Sequence, residues 1–185
     1  MAPMRYPEGH KEETRARIIE EAARAFREEG LEGSSVAALM KRVGLTHGGF
    51  YGHFANRDEL VAEAIAAASE QTAERVFQSA NSSKEMLEAY LSRAHLEHPE
   101  EGCVLAALGT DARRQPEVVK DAFARSSRGF IELIGEHVAP KGDQELSDDA
   151  IDTAIRMIGG MVLARLVDDE SLSDRVLSIA RKPGA

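Results

Sequence analysis

Apolar residues in this chain recur three and four positions apart and nowhere in strict alternation, so helices are the elements that can bury them. Lys11–Glu29 sets Ile18, Ala22, Ala25 and Phe26 on one stripe, with Glu and Arg elsewhere, and Gly30 follows as a stop. Ser34-Ser35 is a cap pair before a short helix, Val36–Val43, which Gly44 closes. Thr46 caps a second short helix, about His47–His53, and Asn56 opens a long one that runs to Ser79 with Leu60, Val61, Ala64, Ile65 and Ala68 as its apolar side. Further helices are expected over Lys84–Glu97, Gly102–Arg113, Pro116–Val138, Asp148–Val167 and Leu172–Arg181, punctuated by Pro99, Pro116 and Pro140. The expected fold is all-α, in two parts divided within the long helix after Asn56.

Composition sets the class. With 43% hydrophobic and 30% charged residues among 185, the chain is apolar enough to fold. Its longest apolar run, Met157–Ala164, ends at Arg165, short of a membrane span. Pro3, Pro7 and Glu8 stand where a secretory signal needs an apolar core, and Cys103 is the single cysteine. One thiol excludes an intrachain disulfide, so a reducing cytoplasm and no membrane partner are expected. The net charge of −9 is uneven. Residues 1–60 hold nine Lys/Arg (Arg5, Lys11, Arg15, Arg17, Arg24, Arg27, Lys41, Arg42, Arg57) against ten Asp/Glu, and the acidic excess lies in the remainder. A phosphate-binding surface is therefore expected in the first third.

Two short helices joined by Gly44-Leu45-Thr46 have the form of a helix-turn-helix, in which glycine permits the sharp turn. Base edges are then read by side chains early in the second helix, and hydroxyls and helix N-termini hold phosphates. Spacing alone is a weak signal, since any short helical hairpin imitates it. The run Gly44-Leu45-Thr46-His47-Gly48-Gly49-Phe50-Tyr51-Gly52-His53-Phe54-Ala55-Asn56-Arg57-Asp58-Glu59-Leu60 is more specific. With Ala22-Ala23, Phe26, Gly30 and Ser34-Ser35 upstream, it closely resembles the signature of the TetR/AcrR family of bacterial transcriptional regulators over about residues 11–65.

The resemblance implies an N-terminal three-helix helix-turn-helix DNA-binding domain over residues 1–56, followed by a helical effector-binding and dimerisation domain over 57–185. It implies a homodimeric, ligand-responsive regulator, usually a repressor, with a double-stranded DNA operator and a small-molecule effector as partners. Position by position, Ser35, Thr46, Tyr51 and Arg57 correspond to phosphate contacts. His47, Gly48, Gly49 and His53 correspond to the groove-facing side, and Phe50 and Phe54 to core. Met40 and Val43 depart from the family's small residues, and Gly49 and Gly52 replace side-chain-bearing ones. Gly48-Gly49 also weakens the second helix, by about 1 kcal/mol per glycine relative to alanine. Apart from that motif, Tyr51 and His53 read more simply as a surface aromatic and a capped core histidine. Arg5, Lys11, Arg15 and Arg17 read as a phosphate arm or, with Glu12 and Glu13 between them, as a solvated face.

In the remainder, polar groups embedded in apolar helices are the candidate effector contacts: His95, His98, Cys103, Thr110, Arg113, Arg114 and Phe123. His95, His98 and Cys103 have a spacing that chance produces often, and a polar helix end before Pro99 is the simpler reading than a metal site. Cys103 opens an apolar helix and is either a reactive thiol or a small buried hydrophobe, with Glu100 and Glu101 opposing thiolate formation. Neither metal nor cofactor is expected. The helix through Met157–Ala164 is apolar nearly all round, so Ile155, Gly159, Gly160, Leu163, Leu172 and Val176 are candidates for a dimer interface or an intrachain core. No Gly-x-Ser-x-Gly, phosphate loop, His-Glu-x-x-His or paired catalytic Cys/His motif is present, which argues against an enzyme. A helical interaction module that has lost DNA binding is the remaining alternative.

Overall fold

The computed structural model describes residues 8–138 and 146–182. Pro3, Arg5, Pro7 and Pro140 lie outside the described residues. Within them the fold is all-α, with no strand and no helix long and apolar enough to cross a membrane. Helix α1 (Glu8–Glu29) buries the expected stripe of Ile18, Ala22, Ala25 and Phe26, each at most 1% exposed. It is followed by α2 (Val36–Arg42), a tight 3₁₀ segment (His47–Gly52) and α3 (Arg57–Thr72). Gly30 and Gly44 adopt φ of +81° and +75°, the left-handed conformation that ends α1 and turns the chain after α2.

Helix α3 lies between two halves of the molecule, against α1 on one side and α7 (Glu117–Val138) on the other. Its start is set by Asn56, whose Oδ1 accepts from Glu59 N at 2.9 Å, while Glu59 Oε2 accepts from Ala55 N at 2.7 Å. Both satisfy donors that a helix start leaves open. The other half comprises α4 (Ser83–Tyr90), α5 (Arg93–Glu97), α6 (Val104–Leu108), α7, α8 (Asp148–Leu166) and α9 (Glu170–Ala180). α7 packs on α8, and α8 on α9.

Four expected helices differ in detail. His47–His53 is a 3₁₀ segment, because Gly48, Gly49 and Gly52 give the backbone little reason to extend an α-helix. The helix expected to reach Ser79 changes at Thr72 into one π-helical turn, Ala73–Phe77, in which Gln78 N donates to Ala73 O. Lys84–Glu97 breaks at Leu91, and Ser92 recaps the chain as α5 by accepting from His95 N at 3.2 Å. Gly102–Arg113 divides into α6 and a 3₁₀ segment, Gly109–Arg114, where Gly109-Thr110 replaces helix formers.

Candidate nucleic-acid interface and effector region

The surface around the short segments is built from local caps. Ser35, exposed, accepts from Ala38 N at 3.2 Å and starts α2; Thr46, also exposed, accepts from Gly49 N at 3.3 Å and starts the 3₁₀ segment. Beneath them Phe50 and Phe54 are 1% and 2% exposed and stack at 5.4 Å, so they are core as expected. The same segment turns His47, Gly48, Gly49 and Tyr51 outward, and Tyr51 is 66% exposed with its ring edge-on to Phe50 and His47. An exposed aromatic held at one edge by a buried phenylalanine is preorganised for contact rather than for stability.

Two expected contacts turn inward. Arg57 is half-buried: its guanidinium donates to Leu31 O and lies 5.5 Å from the Phe26 ring centre, so it anchors the first turn of α3. His53 is half-buried with Nδ1 lacking a hydrogen-bond partner, and burial together with Lys11 and Arg15 lowers its pKa. Arg15 is committed within the fold as well, pairing with Glu63 and Glu59 and stacking on Phe54. Arg17 donates to Val43 O at 3.2 Å, and Arg42 pairs with Glu21 and Glu29. Lys41 is exposed in the last turn of α2 with no ion-pair partner among the described residues. It escapes a reading of sequence by motif, although a basic residue three positions before Gly44 is its signal.

The effector candidates do not converge. Cys103, 2% exposed, lies against a different space from Arg113 and Arg114, which are exposed on the 3₁₀ segment. His95 and Cys103 line one recess of about 250 Å³, and Thr110 and Phe123 a groove of about 630 Å³ between α6, α7 and α8. A third, mostly apolar cavity of about 270 Å³ lies between α3, α6 and α7, with Phe77 and Phe130 on its walls. His95 is a structural residue: Nδ1–H donates to Tyr90 O at 2.6 Å and Nε2 accepts from Cys103 N at 2.9 Å. Both nitrogens being occupied, the ring stays neutral, and burial pushes its pKa down to about 4. His98 is exposed on Glu100, away from His95. No group of described residues could hold a metal ion.

On α8 and α9 the candidates also separate. Ile155 (65%), Leu163 (51%) and Leu172 (44%) are exposed, with Gly159 on the same face and Ile151, Leu166 and Ile179 extending it. Gly160 instead faces α9, where a Cβ would come within 2.6 Å of Ala180 Cβ. Val176 is half-buried against the chain's own core. Within one chain α8 buries one side, that of Ala150, Ala154, Met157, Met161 and Ala164.

Residues 18–64 match the family described as bacterial regulatory proteins, tetR family. The HTH-type transcriptional regulator TtgR of Pseudomonas putida is 46% identical over 50 residues, 27% of this chain and 24% of TtgR. The chain thus matches about a quarter of that curated relative's length. Among solved structures, a TetR-family transcriptional regulator from Cytophaga hutchinsonii superposes with a TM-score of 0.75 at 20% identity, covering 95% of each chain. AibR in complex with isovaleryl coenzyme A and operator DNA superposes with a TM-score of 0.62 at 18% identity, over 92% of this chain and 100% of that one. At these identities the structural likeness is one of fold.

Proposed function

We propose, for a chain that belongs through residues 18–64 to the tetR family of bacterial regulatory proteins, the role of a ligand-responsive DNA-binding transcriptional regulator. It is a non-enzymatic repressor that binds a palindromic operator as a homodimer and is released by a small-molecule effector. The observation that carries this reading is the exposed Thr46–Tyr51 edge, on which Tyr51 stands 66% exposed above a fully buried Phe50. Residues 1–56 act as the DNA-binding domain and 57–185 as the effector and dimerisation domain.

Ser35, Thr46 and Tyr51 offer hydroxyls, and Lys41 a charge, to the phosphate backbone. His47, Gly48 and Gly49 face the groove with His53 at its edge, while Arg57 sets the pitch of α3 rather than reaching DNA. The small side chains at Gly48 and Gly49 leave few groups for direct base readout, so fit to groove shape carries more of the specificity. Ile155, Gly159, Leu163 and Leu172 on α8 and α9 meet their counterparts in a second copy. Two such edges then face successive major grooves, about 34–36 Å or a multiple of that apart. An effector releases DNA by binding better to a state with another separation.

The test is binding to DNA from the gene's own upstream region at two salt concentrations. The wild type binds a palindrome with affinity that falls as salt rises, and Tyr51→Ala binds at least about tenfold more weakly with an unchanged melting temperature. Lys41→Ala lowers the salt slope by about one. An absence of binding both to this DNA at low salt and to any member of a random DNA pool overturns the reading in favour of an interaction module. Leu163→Asp converts a dimer to a monomer, and a monomeric wild type at micromolar concentration overturns the homodimer.

A further inference from the structure

Arg27 and Arg165 are buried or half-buried charged groups that the preceding account leaves without a task. Arg27, on α1, is 5% exposed and donates to Ala23 O (3.0 Å), Gly102 O (2.8 Å) and Gln71 Oε1 (2.8 Å). Arg165, near the end of α8 and half-buried, donates to His95 O (2.6 Å) and Leu96 O (3.4 Å). Every partner is a neutral carbonyl, and among the described residues neither guanidinium has a carboxylate partner. Burial lowers the pKa of both, that of Arg27 to about 10, as expected of cations held away from water without a counter-ion. Arg75 and Glu101, paired with each other, act on Arg27 as well, and Glu100 acts on both arginines from beyond ion-pair distance with its Oε1 taken by His98 at 3.2 Å.

The two cations converge on one residue. Arg27 holds the carbonyl of buried Gly102, and a Cβ placed on Gly102 would lie 3.2 Å from Arg165 Nη2. Both side chains also line the groove of about 630 Å³ between α6, α7 and α8, whose remaining wall is largely apolar: Leu105, Ala106, Phe123, Ile158 and Val162. Two other spaces lack this pairing, although Arg27 also borders the first of them. The cleft between α1 and α3 is lined by arginines and glutamates together, and the cavity between α3 and α7 has no pair of unopposed cations.

We propose that this groove binds a monocarboxylic acid with an apolar body, its carboxylate toward Arg27 and Arg165 and its body along Leu105, Phe123 and Val162. Guanidinium is the group best matched to a carboxylate, since it presents parallel N–H donors to both oxygens. The apolar wall favours the tail by ordinary burial. Arg27 belongs to α1, so a carboxylate there bears directly on the segment that carries the helix-turn-helix. This last consequence rests on the regulator reading; the binding site does not.

The test uses the full chain and two probes of equal length, sodium octanoate and 1-octanol, with binding read by calorimetry in the absence of DNA. Octanoate binds at least about tenfold more tightly than the alcohol, the margin expected of a charge-assisted hydrogen bond. Arg165→Gln brings octanoate to the level of octanol and leaves octanol binding unchanged. Val162→Trp, at the half-buried wall, weakens both probes by filling the groove. Arg165→Lys retains part of the preference and keeps the proposal testable if the glutamine variant melts early. Absence of octanoate binding, equal binding of acid and alcohol by the wild type, or octanoate binding undiminished in Arg165→Gln overturns the proposal. Operator binding measured without octanoate tests the regulator reading separately.

Discussion

The helix-turn-helix edge and the Gly102 junction are held together in opposite ways. At the edge, the caps close within a few residues: Ser35 to Ala38, Thr46 to Gly49, Asn56 to Glu59. His47 and Tyr51 point outward there, and the buried Phe50 and Phe54 hold the segment from beneath. At the junction, Arg27, His95, Cys103 and Arg165 meet around one glycine although they are dispersed from α1 to α8. The edge can therefore lose Tyr51, which caps nothing, with little cost to the fold, whereas the junction has little tolerance for change.

The contrast can be broken most severely from below the edge. Phe50→Ala removes a fully buried ring stacked on Phe54 and costs about 3–5 kcal/mol. It should abolish DNA binding by melting the N-terminal half, seen as an early transition in circular dichroism. Tyr51→Ala, one residue on, should leave the melting curve in place; an equal loss at both positions would mean that the edge is not locally held.

The junction has a pH signature of the next size. His95 is neutral in the fold, with its pKa near 4 against about 6.5 for an unperturbed histidine. Between those values the unfolded chain binds the additional proton, so stability rises with pH across that window. The contribution is fully present above about pH 6.5 and lost as pH falls through 4, on the order of 2–3 kcal/mol. Protonation would set an Nε2–H against the Cys103 N–H that it now accepts from. Thermal melts of wild type and His95→Gln between pH 4 and 7 should diverge in slope, and parallel slopes would remove His95 as the cause.

Gly102→Ala is a slightly smaller change with the same target. The new Cβ would lie 2.5 Å from the His95 ring and 3.2 Å from Arg165, so one of them must move. A loss of about 1–3 kcal/mol is expected, read from denaturant midpoints. Gly48→Ala, at the edge, is the smallest change and has the opposite sign. Nothing lies within 4 Å of the added Cβ, and the backbone is not left-handed there. Stability should rise by about 0.5–1 kcal/mol as helix propensity improves. A loss of stability at Gly48 would show that the 3₁₀ segment depends on glycine for its geometry.

Much of the edge was legible in the residues alone, because caps, turns and helix stripes are short-range patterns. Ser35, Thr46 and Asn56 cap as expected, Gly44 turns with positive φ, and the α1 stripe is buried residue for residue. Arg57 was not legible: its motif position suggests a phosphate contact, yet the Leu31 carbonyl and the Phe26 ring hold its guanidinium inward. The glycine pair foretold a weak second helix but not its 3₁₀ form.

What the chain's residues determined by themselves was the all-helical class, the helix-turn-helix and its outward hydroxyls, since each depends on neighbours within about one helical turn. Tertiary structure alone decided that His95 is a neutral strut, that Gly160 serves α9 while Gly159 faces outward, and that Arg27 and Arg165 converge on Gly102. The physical reason is sequence separation. A group's partner dictates its charge state and direction, and Arg27 lies 75 residues from the carbonyl it holds. No local pattern carries that pairing; it exists only once α1, α6 and α8 have packed together.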